Sequence, residues 1–177
     1  SKLEHCDPVH KVSIVARGMA GGYTLTLPED DRSLYTKSKF EDDLAGLLGG
    51  RVAESIVFND VTTGASNDLR RATQLARAMI TEYAMSENLG QRTFGQKEEL
   101  IFLGREIAEQ RDYSEEIASQ IDKEIRAIVD RAYARATEVL TTHRDRLDLL
   151  AQRLIEKETL EGAEYEEIVN GSGAVAA

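Results

Sequence analysis

Asp68 is the residue best suited to chemistry, within the stretch Thr62–Leu69 (Thr-Thr-Gly-Ala-Ser-Asn-Asp-Leu). A glycine and the capping residues Ser66 and Asn67 precede it, which predicts that Asp68 lies in the first turn of a helix. A carboxylate in that position is held rigidly and could ligate a metal ion. The same position also suits an ordinary acidic residue, because the positive end of the helix dipole favours negative charge. Spacing alone leaves both interpretations open.

Histidine and cysteine offer few alternative sites, since the chain has only His5, His10, His143 and Cys6. Pro8 disfavours a helix just before it, so His5 and His10 cannot share a helical face as metal-binding pairs do. His143 is interpreted as a partner of a helix dipole. Cys6 has no neighbouring cluster of cations and no helix start that would activate its thiol. A single cysteine also excludes an internal disulfide and favours a reducing compartment.

Composition excludes several classes of function. Among 177 residues, 31% are charged and the net charge is -10, which argues against nucleic acids and anionic membrane surfaces as partners. Tryptophan is absent, which argues further against a surface that stacks nucleic-acid bases. No run approaches the roughly 20 apolar residues that a transmembrane helix needs. A glycine-rich stretch at Gly18–Gly22 resembles a phosphate loop weakly, but a strand follows it and no Lys-Ser or Lys-Thr does, so we reject nucleotide binding.

The elements that must position Asp68 are mostly helical. Two alternating runs, Lys11–Val15 and Tyr23–Leu27, predict a β-hairpin. Thr36 or Ser38 can cap the next helix. Gly49-Gly50 lies inside that helix, which predicts the close approach of another helix or a site; the alternative is a break between two short helices.

Further helices are predicted by apolar residues at helical spacing, and a long irregular segment is predicted over 91–111. The predicted helices cover 66–85, 113–140, 147–155 and 162–169. Together the patterns predict a mainly α domain with a small β-hairpin and a long C-terminal helical arm. That domain spans residues 1–170, and a disordered tail of small residues follows at 171–177.

Several separate motifs resemble the peptidase (M41) domain of the FtsH family, in the same order along nearly the whole chain. They are Asp7–Ile14, Gly49–Glu54, Thr62–Leu69, Met85–Gly90, Phe102–Arg105, Tyr113–Glu116 and His143–Leu160.

The resemblance implies a helical zinc metalloendopeptidase that acts behind an ATP-driven unfoldase, as a homo-hexameric ring at a membrane. In that family, two histidines of a His-Glu-x-x-His helix and an aspartate at the position of Asp68 hold Zn²⁺. The helical glutamate is the general base that activates a water on the metal. The resemblance also implies that the substrates are unfolded proteins. The implied role is protein quality control, at the cytoplasmic face of a bacterial inner membrane or at an organellar membrane.

The printed sequence departs from the family pattern in one respect. It contains no His-Glu-x-x-His segment, which by resemblance would fall immediately before Ser1, and no phosphate-binding lysine motif. The catalytic glutamate, ATP, Mg²⁺ and the membrane anchor are therefore expected outside this chain. The chain itself is expected to be soluble, and inactive alone, because one carboxylate does not make a catalytic zinc site.

Two further roles follow from the resemblance. An edge strand beside the zinc could bind an extended substrate by backbone pairing, with Gly22, Tyr23 and Thr24 as candidates. Glu54 could orient a metal ligand without binding the metal itself. A plain structural hairpin and a surface salt bridge are the respective alternatives.

Two other functions remain open at this point. The chain could be a non-catalytic helical module for ring assembly or a pseudo-protease, since its apolar stripes suit that role equally. It could also be a stand-alone helical domain that binds a divalent ion.

Overall fold

The computed structural model describes residues 2–16, 21–28, 34–95 and 112–171. Its helices and strands are β1 (Val9–Ser13), β2 (Tyr23–Thr26), α1 (Lys37–Phe58), α2 (Ser66–Thr81), α3 (Glu115–Thr142), α4 (Arg144–Lys157), β3 (Thr159–Glu161) and α5 (Gly162–Asn170). A 3₁₀ turn, Thr63–Ala65, leads directly into α2. The predicted mainly α fold with a small β element is confirmed. Gly18, the Phe102–Arg105 motif and the predicted tail beyond residue 171 lie outside the described residues.

The three strands form one antiparallel sheet in the order β2-β1-β3. The predicted hairpin is confirmed, with Val12 opposite Thr24 and Ser13 opposite Tyr23. Strand β3 was not predicted, because it is only three residues long and has no alternating pattern of its own. It forms because Glu158 adopts a left-handed conformation (φ 60°) that turns the chain back beside β1. The C-terminal arm, which consists of α4, β3 and α5 (residues 144–170), thus supports the hairpin through β3.

Helix α1 is continuous, so the predicted alternative of two short helices is wrong. Its N-cap is Thr36, whose hydroxyl accepts a hydrogen bond from Lys39 N at 3.2 Å. The helix passes through Gly49 and Gly50 because its other face is buried, and it ends at Asn59 in a left-handed conformation (φ 52°). Burial of that face more than offsets the low helix propensity of glycine.

The core lies between α1, α2 and α3. Its fully buried side chains include Leu44, Leu48, Met79, Ile80 and Ile121. A smaller apolar cluster of Leu154, Leu160 and Ile168 packs beneath Val12 and joins the sheet to the C-terminal arm. Since α2 contributes buried residues from Ala72 to Thr81, the helix that carries Asp68 is anchored by the core beyond its first turn.

Helix α2 ends four residues earlier than the predicted Met85. The backbone N–H groups of Glu82 and Tyr83 both donate to Ala78 O, and Met85 N donates to Met79 O. Ala84 then adopts φ 51°. These bonds satisfy the last carbonyls of the helix and turn the chain away, as at many helix ends.

No helix in the described ranges is both long enough and apolar enough to cross a bilayer.

Candidate metal-ligand site

Asp68 lies in the first turn of α2, as predicted. Its side chain is 44% exposed, so solutes can reach the carboxylate. Arg71 Nη1 lies 3.8 Å from Asp68 Oδ1, a distance too long for a hydrogen bond. An exposed pair of this kind contributes little to stability. The Asp68 carboxylate is therefore accessible and weakly partnered.

The predicted capping of α2 by Ser66 and Asn67 is wrong. The N-cap residue is Ala65, which makes no side-chain cap hydrogen bond. Capping occurs one turn earlier, where the hydroxyl of Thr62 accepts a hydrogen bond from Gly64 N at 3.0 Å. The 3₁₀ turn that follows Thr62 satisfies backbone groups locally, so the hydroxyl side chains after it are not needed as caps.

Two side chains of α1, Arg51 and Glu54, bind Thr62. Glu54 Oε2 accepts from Thr62 N at 3.0 Å, and Glu54 Oε1 accepts from the Thr62 hydroxyl at 2.7 Å. Arg51 Nη1 donates to Thr62 O at 3.1 Å. The two hydrogen bonds from Thr62 lower the pKa of the Glu54 carboxyl, and the backbone N–H is the larger cause. The structure thus connects Glu54 to the loop before Asp68.

The lowered pKa of Glu54 predicts a pH dependence of this loop. The ionised carboxylate accepts both Thr62 donors, so the contribution is present above the pKa that Glu54 has in the unfolded chain. It is lost as the pH falls through the lower folded-state pKa. NMR titration of the Glu54 side-chain carbon should give a midpoint below that of glutamate in an unstructured peptide. In Thr62→Val, which lacks one donor, the midpoint should rise; a midpoint that Thr62→Val leaves in place would contradict this explanation.

The three histidines and the cysteine lie elsewhere in the fold. His5 Nδ1 lies 2.9 Å from Asp42 Oδ2 on α1, which is 37 residues away along the chain. His143 lies at the junction of α3 and α4, where its backbone N–H donates to Val139 O. Burial raises the pKa of the Cys6 thiol, with a smaller contribution from the negative charge of Asp43. An unactivated thiol agrees with the sequence prediction.

A zinc site is not complete within this part of the molecule. Among the described residues, no group of three His, Cys, Asp or Glu side chains could hold a metal ion. Catalytic zinc sites use three protein ligands, often including one carboxylate. Asp68 therefore fits one position of such a site, and the described residues do not supply the others.

The predicted close approach at Gly49-Gly50 is not made by any described residue. A Cβ atom added at Gly46, Gly49 or Gly50 would meet nothing within 4 Å. Gly46 and Gly49 instead line a cavity of about 260 Å³ between α1, α3 and the C-terminal arm. Leu3 and Leu140 line the same cavity, whose wall is mainly apolar. The glycines therefore leave open space beside α1 and do not bring another described residue into close contact with it.

The candidate substrate-binding residues Gly22, Tyr23 and Thr24 lie at the start of β2, which forms one edge of the sheet. Thr24, Leu25 and Thr26 are exposed. Gly22 has a structural reason to be glycine, because an added Cβ would lie 2.6 Å from Ser13 O and 3.2 Å from Ile14 Cα.

Gly22→Ala is expected to separate the start of β2 from β1, because the backbone of β1 cannot move away without breaking the sheet. Overpacking of this kind destabilises by about 1–3 kcal/mol. The measurement is amide hydrogen exchange of both strands, together with the free energy of unfolding. Gly21→Ala is the matched control, since its Cβ would meet nothing within 4 Å. Equal effects of the two substitutions would contradict the steric explanation.

Comparison with known proteins places this chain among peptidases. A profile of peptidase family M41 matches residues 1–168. The chain is 60% identical over 164 residues to ATP-dependent zinc metalloprotease FtsH 1 of Sphaerobacter thermophilus, covering 93% of this chain and 25% of that protein. The protein of the same name from Thermomicrobium roseum is 59% identical over 164 residues, with the same coverage of 93% and 25%. ATP-dependent zinc metalloprotease FtsH of Chloroflexus aggregans is 56% identical over 170 residues, covering 94% and 26%. The chain thus spans about a quarter of the length of these curated relatives.

Proposed function

Since the chain belongs to peptidase family M41, we propose that it is the proteolytic part of an ATP-dependent zinc metalloendopeptidase, and that Asp68 is one ligand of its zinc ion. The observation that carries the proposal is the Asp68 carboxylate itself. It is held at the start of a core-anchored helix, is 44% exposed, and has Arg71 only at 3.8 Å. A bound zinc ion would polarise the scissile carbonyl and acidify a water molecule. The role of this chain is to hold one ligand in place.

The remaining zinc ligands and the general-base glutamate are proposed to come from a His-Glu-x-x-His helix that precedes Ser1 in a longer protein. Lys2 and Leu3 line the cavity that also exposes Gly46 and Gly49, so a segment joined to Lys2 in such a protein would approach α1 there. Because glycine has no Cβ, a second helix can pack closely against α1 at these positions. From Gly49, α1 continues about 7.5 Å further to Glu54, which binds the loop before Asp68.

Strand β2 is proposed to bind the substrate. An edge strand can pair its backbone with an extended polypeptide, and Gly22, Tyr23 and Thr24 begin this edge. Extended backbone pairing is largely independent of side chains, which suits a protease that acts on many unfolded proteins.

The longer protein is proposed to contain an ATPase domain that uses ATP and Mg²⁺, a membrane anchor, and contacts that form a homo-hexamer. Its proposed role is protein quality control at the cytoplasmic face of a bacterial inner membrane or at an organellar membrane. Residues 1–170 form its peptidase unit. The names of the relatives, ATP-dependent zinc metalloprotease FtsH, support the ATP dependence and the metal.

Casein hydrolysis tests the proposal. The full-length protein should hydrolyse casein with ATP and lose the activity with a zinc chelator, whereas the 177-residue chain alone should be inactive. Chelator-sensitive hydrolysis by the 177-residue chain would contradict the proposal that the other zinc ligands and the general base come from outside this chain. A full-length gene without His-Glu-x-x-His before Ser1 would instead favour a pseudo-protease or an assembly module.

A further inference from the structure

We infer that Arg51 and Glu54 form a clamp on Thr62 that fixes the direction of the Asp68 carboxylate. The inference rests on the proposed function only in taking Asp68 as a zinc ligand. Arg51 and Glu54 are positioning residues, since they act through the loop and do not touch the metal.

The start of α2 needs support from outside the helix. The first N–H groups of any helix lack partners within it, and Ala65 provides no side-chain cap. The entry to α2 is fixed instead by the 3₁₀ turn, in which Ser66 N donates to Thr63 O. The hydroxyl of Thr62 caps this 3₁₀ turn. The orientation of the first turn, where Asp68 lies, therefore depends on where Thr62 is held.

The clamp binds every backbone polar group of Thr62 and its hydroxyl as well. Glu54 accepts from the Thr62 N–H at 3.0 Å and from its hydroxyl at 2.7 Å, while Arg51 donates to its carbonyl at 3.1 Å. Hydrogen bonds with a charged partner are stronger than those between neutral groups. A loop residue held at its N–H, its C=O and its side chain has little freedom to move.

Both side chains of the clamp come from one rigid support. Arg51 and Glu54 are three residues apart on α1, so they project from the same side of the helix. Val52, between them, is 1% exposed and packs in the core with Ala136 of α3. Because α1 is anchored next to the clamp, the position of Thr62 is set by the core of the domain.

Gly64 provides a second, independent indication that space is reserved for the clamp. A Cβ at Gly64 would lie 3.2 Å from the Thr62 hydroxyl oxygen and 3.4 Å from Glu54 Oε1. A side chain there would crowd the two oxygens through which Glu54 and Thr62 interact. The glycine thus allows the 3₁₀ turn to pass close to the clamp.

The first arm of the test measures the clamp in this chain, without metal. Glu54→Gln keeps the length of the side chain but removes the negative charge that strengthens both bonds, and it replaces one acceptor oxygen with a donor. Amide exchange at Thr62 and Gly64 should become about tenfold faster, as expected for the loss of a hydrogen bond to a charged group. Glu138→Gln, which removes an exposed ion pair with Arg135 on α3, is the matched control and should leave these amides unchanged.

The second arm measures zinc affinity in the zinc-loaded full-length protein. Glu54→Gln, Arg51→Met and Thr62→Val should each weaken zinc binding by about 10–100-fold, the usual effect of losing a residue that orients a ligand. Their melting temperatures should stay close to that of the unmodified protein, because the clamp is at the surface. Thr62→Ser keeps the hydroxyl and should restore zinc binding, which a purely structural effect of the threonine methyl would not produce.

The outcomes separate the clamp from the proposed function. If Asp68→Ala lowers zinc affinity but the clamp variants do not, the positioning role is overturned and the zinc site stands. If Asp68→Ala keeps full zinc affinity, the proposed function of Asp68 fails. Unchanged amide exchange at Thr62 in Glu54→Gln would overturn the clamp in either case.

Discussion

Asp68→Ala should lower the zinc affinity of the full-length protein by more than about a hundredfold, because it removes one ligand outright, whereas loss of an orienting residue alone weakens affinity about 10–100-fold. Casein hydrolysis should fall with the zinc content. The fold should change little, since the side chain is 44% exposed and its pairing with Arg71 is long. Its interaction with the helix dipole contributes about 0.3–1 kcal/mol. Zinc content after dialysis and a thermal melt measure the two effects separately.

Asp145→Ala is the matched control for Asp68→Ala. Asp145 also lies in the first turn of a helix, α4, is 61% exposed, and has an arginine neighbour at 3.3 Å. The two substitutions should have similar effects on stability, but only Asp68→Ala should release zinc. Equal zinc retention in both variants would show that Asp68 is an ordinary helix-start carboxylate.

Leu160→Ala should destabilise the domain by about 2–5 kcal/mol, because it leaves a cavity beneath the sheet. Leu160 is fully buried, pairs with Val12 across β1 and β3, and packs against Leu154 and Ile168. Its loss should also loosen the hairpin, since β3 braces β1. Denaturant unfolding measures the free energy, and amide exchange of β1 and β2 reports the effect on the edge strand that is proposed to bind the substrate.

Ile155→Ala is the control on the same C-terminal arm, since Ile155 is 76% exposed. An exposed side chain contributes little buried area, so its removal should change stability by less than about 0.5 kcal/mol. A small effect of Leu160→Ala, comparable to that of Ile155→Ala, would contradict the packing of the arm against the sheet.

The sequence predicted those parts of the fold whose signals are local. Thr36, one of the two predicted caps of α1, is its N-cap, because a hydroxyl before an apolar helical pattern caps the helix through its own neighbours. Asp68 was placed correctly in the first turn of α2 because the apolar pattern at helical spacing begins just after it, although the predicted caps Ser66 and Asn67 are not used. Each of these predictions depends on residues fewer than about five positions apart.

The remaining features depend on tertiary contacts and could not be predicted. Strand β3 exists because β1 offers it an edge, not because Thr159–Glu161 has a strand pattern. Glu54 stood out by resemblance, but its partner Thr62 lies on a loop eight residues away whose course no local pattern fixes. Arg51 was not predicted as a functional residue at all. The cavity beside Gly49 likewise depends on how α3 and the arm pack against α1.

The most direct measurement is anomalous diffraction at the zinc absorption edge from crystals of the zinc-loaded full-length protein. We expect a single catalytic zinc with a carboxylate oxygen of Asp68 about 2.0–2.2 Å away, and with histidine ligands from outside residues 1–177. A zinc ion with a complete set of protein ligands that does not include Asp68 would contradict the account.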